Sequence, residues 1–393
     1  MTRSRSEVLT RSIASLVAVL LAASVWSTTA SAEPKHWDAA ALGGGELTFI
    51  PQATGHGWAS FDSVGRGVVG NGDLHLFWNT TKLHAGIERL SFAGGKLAFF
   101  GFLEGEALIS QLLNDYFQNG LRIKEYGFKS SYIMLSTKLQ WYPGKHQTIE
   151  VLAAARRWFF GPRSFTSTDY VLPLDTWVFE PRIGYNYWNI DAPSEEWEAH
   201  RVFPRIQGFA IGIDGGLDVR SDVRVWGLDD GRNDPGKVIY GVSQWIRAGW
   251  RLSPLVRLQL EQWGNYGWRQ DDITRRRMGG VNPYVIQVPG LPWTGLISER
   301  LVAAMLGLHL KAKESSQHEF GVLVGGGAFN DVDRVGALST YGGAGGVSLH
   351  GDLRFGPTGR YQLNIRVSYG FPAAWLFDPP YLAGLVAFGA RIF

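Results

Sequence analysis

From Arg360 to Phe371 the sequence RYQLNIRVSYGF alternates throughout. Tyr361, Leu363, Ile365, Val367 and Tyr369 fall on one parity, and Gln362, Asn364, Arg366 and Ser368 on the other. That is the period of a β-strand with one apolar and one polar face. The apolar row is aliphatic in the middle and tyrosine at both ends, as expected where a strand crosses lipid between two headgroup layers. The pattern recurs elsewhere. Asp218, Arg220, Asp222 and Arg224 oppose Leu217, Val219, Val223 and Val225, and Ser348, His350, Asp352 and Arg354 oppose Val347, Leu349, Leu353 and Phe355. Arg257, Gln259 and Glu261 likewise oppose Val256, Leu258 and Leu260. An Arg or Lys facing hydrocarbon costs about 2–4 kcal/mol at the midplane. These polar rows, with Arg366, are therefore expected to line an interior.

Segments of this kind fall near 45–52, 70–78, 82–91, 96–105, 130–142, 147–158, 174–188, 203–216, 217–227, 238–251, 255–268, 297–311, 318–328, 346–356, 360–371 and 381–393. They predict an all-β protein, a transmembrane antiparallel β-barrel of about 16 strands. From residue 217 onward, short connections (Ser253-Pro254, Lys313 to Gln317, Gly356 to Gly359) alternate with long ones (228–237, 269–296, 329–345, 372–380). That is the rhythm of periplasmic turns and surface loops. The first half breaks it, because 106–129 and 159–173 are long connections on the short-turn side. Either strands are misplaced there or Ala107 to Phe117 forms a periplasmic amphipathic helix.

The start of the chain bears on compartment. Arg3, Arg5 and Arg11 precede an apolar run from Ile13 to Trp26, and Ala30-Ser31-Ala32 supplies the small residues of a cleavage site. Residues 1–32 thus read as a secretory signal peptide, with an uncleaved anchor as the alternative. The run is shorter than the roughly 20 residues of a spanning helix. Residues 33–44 are expected to be a short periplasmic segment, and 45–393 the barrel.

Composition fits half-apolar strands. The chain holds 50 Gly, 16 Trp, 14 Tyr and 22 Phe, yet its mean hydropathy is only −0.06. It has no cysteine, so backbone pairing must hold a secreted fold together, and a closed barrel provides that. Net charge is +3, which gives no reason to invoke nucleic acid.

The sequence RRRMGGVNPYVIQVPG, then a strand, then EFGVLVGGGAFND, resembles the BamA-type barrels of the outer-membrane assembly and translocation superfamily. That superfamily includes two-partner secretion transporters and the bacterial surface antigen domain. In it a Gly-Gly pair opens the long sixth surface loop, which folds into the lumen carrying an Arg-Gly-aromatic tip, and a later strand carries aromatic-x-Asp-x-Gly. Gly279 and Gly280 match the pair. The tip falls at Asn282-Pro283-Tyr284, without its arginine, and the strand aspartate at Gly325, so both partners of an ion pair are missing together. Losing one charge of a buried pair costs about 3–5 kcal/mol, whereas losing both can be nearly neutral. If the loop enters the lumen, Asn282 and Tyr284 must anchor it; the alternative is an ordinary surface hairpin. The resemblance extends over GAGGVSLHGDLRFG, RYQLNIRVSYGFP and the final Phe393, roughly the last 130 residues. Family members carry POTRA domains before the barrel. Only EPKHWDAAALGG stands between the cleavage site and the first expected strand, so none is expected.

The resemblance implies a barrel in the cell outer membrane of a Gram-negative bacterium that assists insertion or translocation of a protein or lipid client. The expected route is a lateral seam between the first and last strands, with Gly384, Phe388, Gly389 and Phe393 as seam and assembly-signal residues. The glycines leave the registration of the last strand with the first poorly specified, and a seam of only three or four backbone bonds could open on a functional timescale. Outer-membrane lipid, lipopolysaccharide and the barrel assembly machinery are the implied partners, and pairing into a homodimer is left open. The alternatives are a gated or passive solute channel and, less favoured, an outer-membrane enzyme. Ser348, His350 and Asp352 share a face, but neighbours two apart on a strand stand about 6–7 Å apart, too far for a triad. Asp229 to Lys237 lacks the full ligand spacing of a calcium loop. Arg275 to Arg277 read as a solvated charge run, with lipopolysaccharide phosphates or the lumen as alternatives. The nine histidines show no convincing metal-ligand spacing. No catalytic residue, metal or cofactor is expected.

Overall fold

The computed structural model describes residues 37–48, 54–65, 81–108, 116–118, 121–190, 206–229, 231–278, 288–289, 296–330, 341–355, 361–371 and 382–391. The expected signal peptide lies outside them. The first strands are β1 (Trp37–Thr48), β2 (Thr54–Gly65), β3 (Thr81–Phe92) and β4 (Leu97–Leu108), followed by a short hairpin, β5 (Tyr116–Gln118) and β6 (Leu121–Ile123). Next come β7 (Phe128–Gly144), β8 (Gln147–Pro162), β9 (Trp177–Ile190), β10 (Gly208–Arg220), β11 (Val238–Arg251) and β12 (Val256–Trp268). A second hairpin is formed by β13 (Arg276–Met278) and β14 (Leu296–Ser298). The remaining strands are β15 (Arg300–Lys311), β16 (Glu319–Asn330), β17 (Tyr341–Phe355), β18 (Tyr361–Gly370) and β19 (Leu382–Arg391).

Fifteen of these strands form one antiparallel sheet in the order β2-β1-β19-β18-β17-β16-β15-β12-β11-β10-β9-β8-β7-β4-β3. First and last strands therefore pair with each other, as the second and third strands of the order, the signature of a sheet rolled into a barrel. The ends, β2 and β3, run in the same sense, so an all-antiparallel closure between them needs an odd number of further strands. The strand expected at 70–78 lies outside the described residues.

Burial is inverted relative to a soluble sandwich. On β18, Ile365 and Val367 are 42% and 51% exposed while Asn364 and Arg366 are 0% and 1%. On β15 the outward row is Val302, Leu306, Leu308 and Leu310, and the inward row holds Leu301, Ala303, Met305 and His309. A contiguous apolar exterior of this extent is stable only against another apolar phase. Trp177, Tyr240, Trp250, Tyr266, Trp268 and Tyr369 sit exposed near strand ends, where amphipathic rings favour the headgroup layer.

Four strand assignments are corrected. β1 begins at Trp37, not 45, because Ala39 to Ala41 and Gly43 to Gly45 carry no hydrophobic alternation to read. β2 was not expected at all, for the same reason: GHGWASFDS is mostly small and polar. Residues 217–227 are not a separate strand. β10 ends at Arg220, and the alternation beyond it belongs to irregular loop in which every residue from Ser221 to Val225 is exposed. The connection expected over 106–129 holds the end of β4 at Leu108 and the β5–β6 hairpin; the helix alternative at Ala107 to Phe117 falls mostly on 109–115, outside the described residues. Removing one strand at 217–227 shifts the parity of everything before it. The connections 109–127 and 163–176 then join 221–237, 269–299, 331–340 and 371–381 on one rim, opposite the turns at 93–96, 145–146, 252–255 and 312–318. The rhythm that fails in the sequence reading is thereby restored except at 191–207, a long connection between β9 and β10 on the short-turn rim.

Candidate functional site: the lumen, its cap and the seam

The inward faces of β8 to β12 enclose a cavity of about 640 Å³, closed over by residues 270–276 of the long loop after β12. Its walls are charged and mostly paired. Arg156 Nε stands 3.1 Å from Glu180, and Arg182 donates to Asp218 Oδ1 at 3.0 Å. Asp218 and Arg220 both line this cavity. Asp222 and Arg224 do not share their row: they lie beyond β10, exposed, with Asp222 accepting from Ser221 and Arg224 donating to the Leu172 carbonyl.

Further round the barrel the inward rows fill the lumen. Arg257 pairs with Glu319. Glu261 accepts from Gln259 at 2.7 Å and faces Arg247 at 3.6 Å. His350 bonds His309 at 3.1 Å, and His309 stands 3.3 Å from Glu319. Ser348 bonds Ser368 rather than His350. Asp352, Arg354 and Arg366 are buried on the same inward face, Arg366 against the Met305 sulfur. Met305, Leu323, Leu385 and Ala387 form an apolar cluster with Trp263 inside the barrel, so the lumen is not polar throughout.

The long-loop rim carries a cap that sequence reasoning missed. Asp271 receives two bonds from Arg220, at 2.7 and 2.9 Å, one from the Trp226 indole at 3.0 Å and one from Thr274 Oγ1 at 2.9 Å. Asp272 holds Arg232 at 2.8 Å and Arg275 at 2.9 Å. Arg275 is thus a buried partner, not part of a solvated run. Asp229 to Lys237, expected to be a plain loop, contributes Arg232 and Asn233 to this network, both almost fully buried. Beside it, Tyr116, Phe128, Tyr170 and Trp226 pack into one aromatic cluster drawn from four loops and strand ends. Burial would raise the Asp271 carboxyl, but the Arg220 guanidinium, the Trp226 indole and the Thr274 hydroxyl outweigh it and hold the group at about 2. Adjacent aspartates three residues before an arginine run were the available signal, since Asp272 and Arg275 are spaced i, i+3.

The loop between β13 and β14 is held in the barrel at one described point. Gly325 and Gly346 are direct cross-strand partners on β16 and β17, both on the inward parity. Pro289 lies against both: a methyl added at Gly346 would stand 2.3 Å from the Pro289 carbonyl oxygen, and one at Gly325 would stand 3.0 Å from Pro289 Cδ. Val288 beside it is 1% exposed. Gly279, Gly280, Asn282, Pro283 and Tyr284 lie outside the described residues.

At the seam, β1 and β19 pair over nine consecutive positions, from Ala40 with Arg391 to Thr48 with Ala383. That is a longer and fully registered ladder than the three or four bonds that could open readily. Gly389, Phe388 and Gly384 face Leu42, Gly43 and Leu47 across it, and Phe393 lies outside the described residues. Glycine does not single out this edge. Five of the nine seam pairs contain one, but so do seven of twelve between β16 and β17.

The architecture has known counterparts. BamA from Haemophilus ducreyi lacking POTRA domains 1–3 superposes with a TM-score of 0.56 at 12% identity, over 90% of this chain and 70% of that one. The fold is a BamA-type barrel. CdiB from Acinetobacter baumannii (TM-score 0.54, 10% identity) and from Escherichia coli (0.51, 11%) are also similar, each over 91% of this chain. The chain spans 61% and 64% of the length of those two CdiB proteins. No protein family and no curated protein matches the sequence.

Proposed function

We infer that the protein is an outer-membrane barrel of a Gram-negative bacterium that translocates its client or solute through the lumen, with the lateral seam shut and passage gated by the cap and the loop at Pro289. The observation that carries this reading is the continuous nine-pair seam. At about 0.5–1.5 kcal/mol per net backbone bond and roughly one bond per residue pair, unzipping it costs on the order of 4–13 kcal/mol. Over most of that range the open state is populated at less than about one part in a thousand, which favours a shut seam. Outer-membrane lipid and lipopolysaccharide meet the apolar band, and the barrel assembly machinery inserts the chain. Insertion of a protein or lipid client through the seam is the competing reading.

The register chooses the test. Thr48 faces Ala383 and Ala387 faces Gly44, so a lock joins Gly44→Cys to Ala387→Cys, whose β-carbons stand about 4.5–5.5 Å apart as direct partners. The oxidised lock is expected to leave ion current in planar bilayers unchanged and to restore the envelope phenotype of a deletion strain as well as the wild type does. Loss of that rescue on oxidation, returned by reductant, would establish the seam as the route.

A further inference from the structure

The cavity between β8 and β12 has features its role as a wall of the lumen does not require. Its volume, about 640 Å³, lies inside the range of roughly 300–1,000 Å³ typical of small-molecule sites. Four of its five arginines have carboxylate partners among the described residues: Arg156 with Glu180, Arg182 with Asp218, Arg220 with Asp271 and Arg275 with Asp272. Arg276 has none. Its contacts are the neutral Asn265 Oδ1 and Ser243 Oγ, both at a long 3.4 Å, and Arg182 is near enough to oppose its charge. Arg220 and Arg275 each also keep a buried Nε–H with no acceptor among the described residues. Arg276 is exposed to the cavity, so its guanidinium is open to an entering anion, which it can bind through charge-assisted hydrogen bonds. Three indoles, Trp158, Trp245 and Trp263, share the lining and present flat apolar surface with little rotamer freedom to lose.

We propose that this cavity binds a small anion with a planar apolar body, an aromatic carboxylate in the simplest case, its head on Arg276 and its ring against the tryptophans. Two groups oppose the assignment. Asp214 and Asp218 also line the cavity and act on Arg276, though neither makes an ion pair with it. Their charge favours a cation and must weaken an anion, Asp214 the more because Asp218 is already paired with Arg182. The site is independent of whether the lumen or the seam carries traffic.

The test is quenching of tryptophan fluorescence by 1-naphthoate, with the whole protein in lipid nanodiscs and empty nanodiscs as background. Neutral 1-naphthalenemethanol and cationic 1-naphthylmethylammonium serve as matched probes. Saturable naphthoate binding is expected, at least tenfold weaker in Arg276→Gln and tighter in Asp214→Asn, with the neutral probe insensitive to both changes. Far-UV circular dichroism and heat-dependent gel mobility confirm that each variant is folded. Absence of saturable binding to the wild type overturns the proposal. So does unchanged naphthoate affinity in folded Arg276→Gln, or stronger binding of the cationic probe that falls in Asp214→Asn. If Arg276→Gln fails to fold, the Asp214→Asn arm decides by its sign.

Discussion

Replacing Gly346 by alanine should release the loop from the lumen. The added methyl would lie 2.3 Å from the Pro289 carbonyl oxygen, 2.9 Å from its carbonyl carbon and 2.4 Å from the Tyr369 carbonyl oxygen. All three are backbone atoms, so no side chain can rotate away. Tyr369 is held in the ladders of β18 with β17 and β19, whereas Pro289 belongs to a long connection with only a three-residue hairpin at its base. The loop is the softer side and should move. Overpacking of this kind costs about 1–3 kcal/mol. If the cost falls on the docked state, the undocked population rises by roughly 5- to 160-fold at RT near 0.59 kcal/mol. Gly351→Ala is the control, since on the same strand its methyl would meet only Phe320 ring carbons at an ordinary 3.5 Å. Single-channel conductance in planar bilayers and protease cleavage within 279–295 should both rise in Gly346→Ala and stay at wild-type level in Gly351→Ala. A folded Gly346→Ala barrel indistinguishable from the wild type in both assays would refute the docking argument.

The cap provides the remaining expectations. Asp271→Asn strands the Arg220 guanidinium in a buried site, at about 3–5 kcal/mol, so the near-ultraviolet circular dichroism of the aromatic cluster should be lost at pH 7 while the far-ultraviolet β signal persists. In the wild type the Asp271 carboxyl is held below its ordinary 3.8, at about 2. Its contribution, on the order of 2 kcal/mol, is therefore complete above pH 3.8 and disappears as pH falls through about 2. The near-ultraviolet signal should be flat from pH 7 to pH 4 and decline between pH 4 and pH 2; a transition centred above pH 4 would contradict the assignment. Facing is tested by placing arginine on either side of the wall. Leu306→Arg points into lipid and should cost about 2–4 kcal/mol in urea-monitored folding into bilayers, while Gln259→Arg points at the Glu261 carboxylate and should cost less. Equal losses would overturn the inside–outside assignment.

The membrane-barrel class was legible because alternation survives wherever a strand carries large residues. On β18 the row Leu363, Ile365, Val367 is apolar and its opposite row polar, and any register slip would put Arg366 into lipid. Where the wall is built from small residues the signal vanishes: AAALGGG in β1 and GHGWAS in β2 pair as fully as their neighbours, yet nothing in their side chains says so. Backbone hydrogen bonding made those strands, and backbone is the same in every sequence. The opposite failure occurred after Arg220, where Asp222, Val223, Arg224 and Val225 alternate in sequence although all four are exposed and no ladder continues. Pairing needs a neighbour that the local sequence does not contain. The cap was hidden for a related reason. Arg220 and Asp271 are 51 residues apart, and only the fold of two loops over one rim brings them within hydrogen-bond reach.

The glycine at 325 has a different meaning in the fold from the one its sequence position suggests. Aligned with the family pattern it stands where a strand aspartate is missing, and with the tip arginine also absent the pair appears deleted as a unit. In the structure the site is filled by another part of the same loop. Pro289 sits so close to Gly325 and Gly346 that even a methyl at either position is crowded, and a carboxylate at 325 would need still more room at the same point. The ion pair and the close-docked proline are thus alternatives that exclude each other sterically. An ion pair holds a loop through two charges that must both be desolvated, at a penalty that can exceed their attraction. A proline with its ring on Gly325 and its backbone carbonyl on Gly346 holds it through dispersion and excluded water, with no charge to desolvate. Such a dock has little directional specificity and no dependence on salt or on carboxylate titration, so any titratable control of the mouth must reside in the cap, where Asp271 and Asp272 hold four arginine and tryptophan donors.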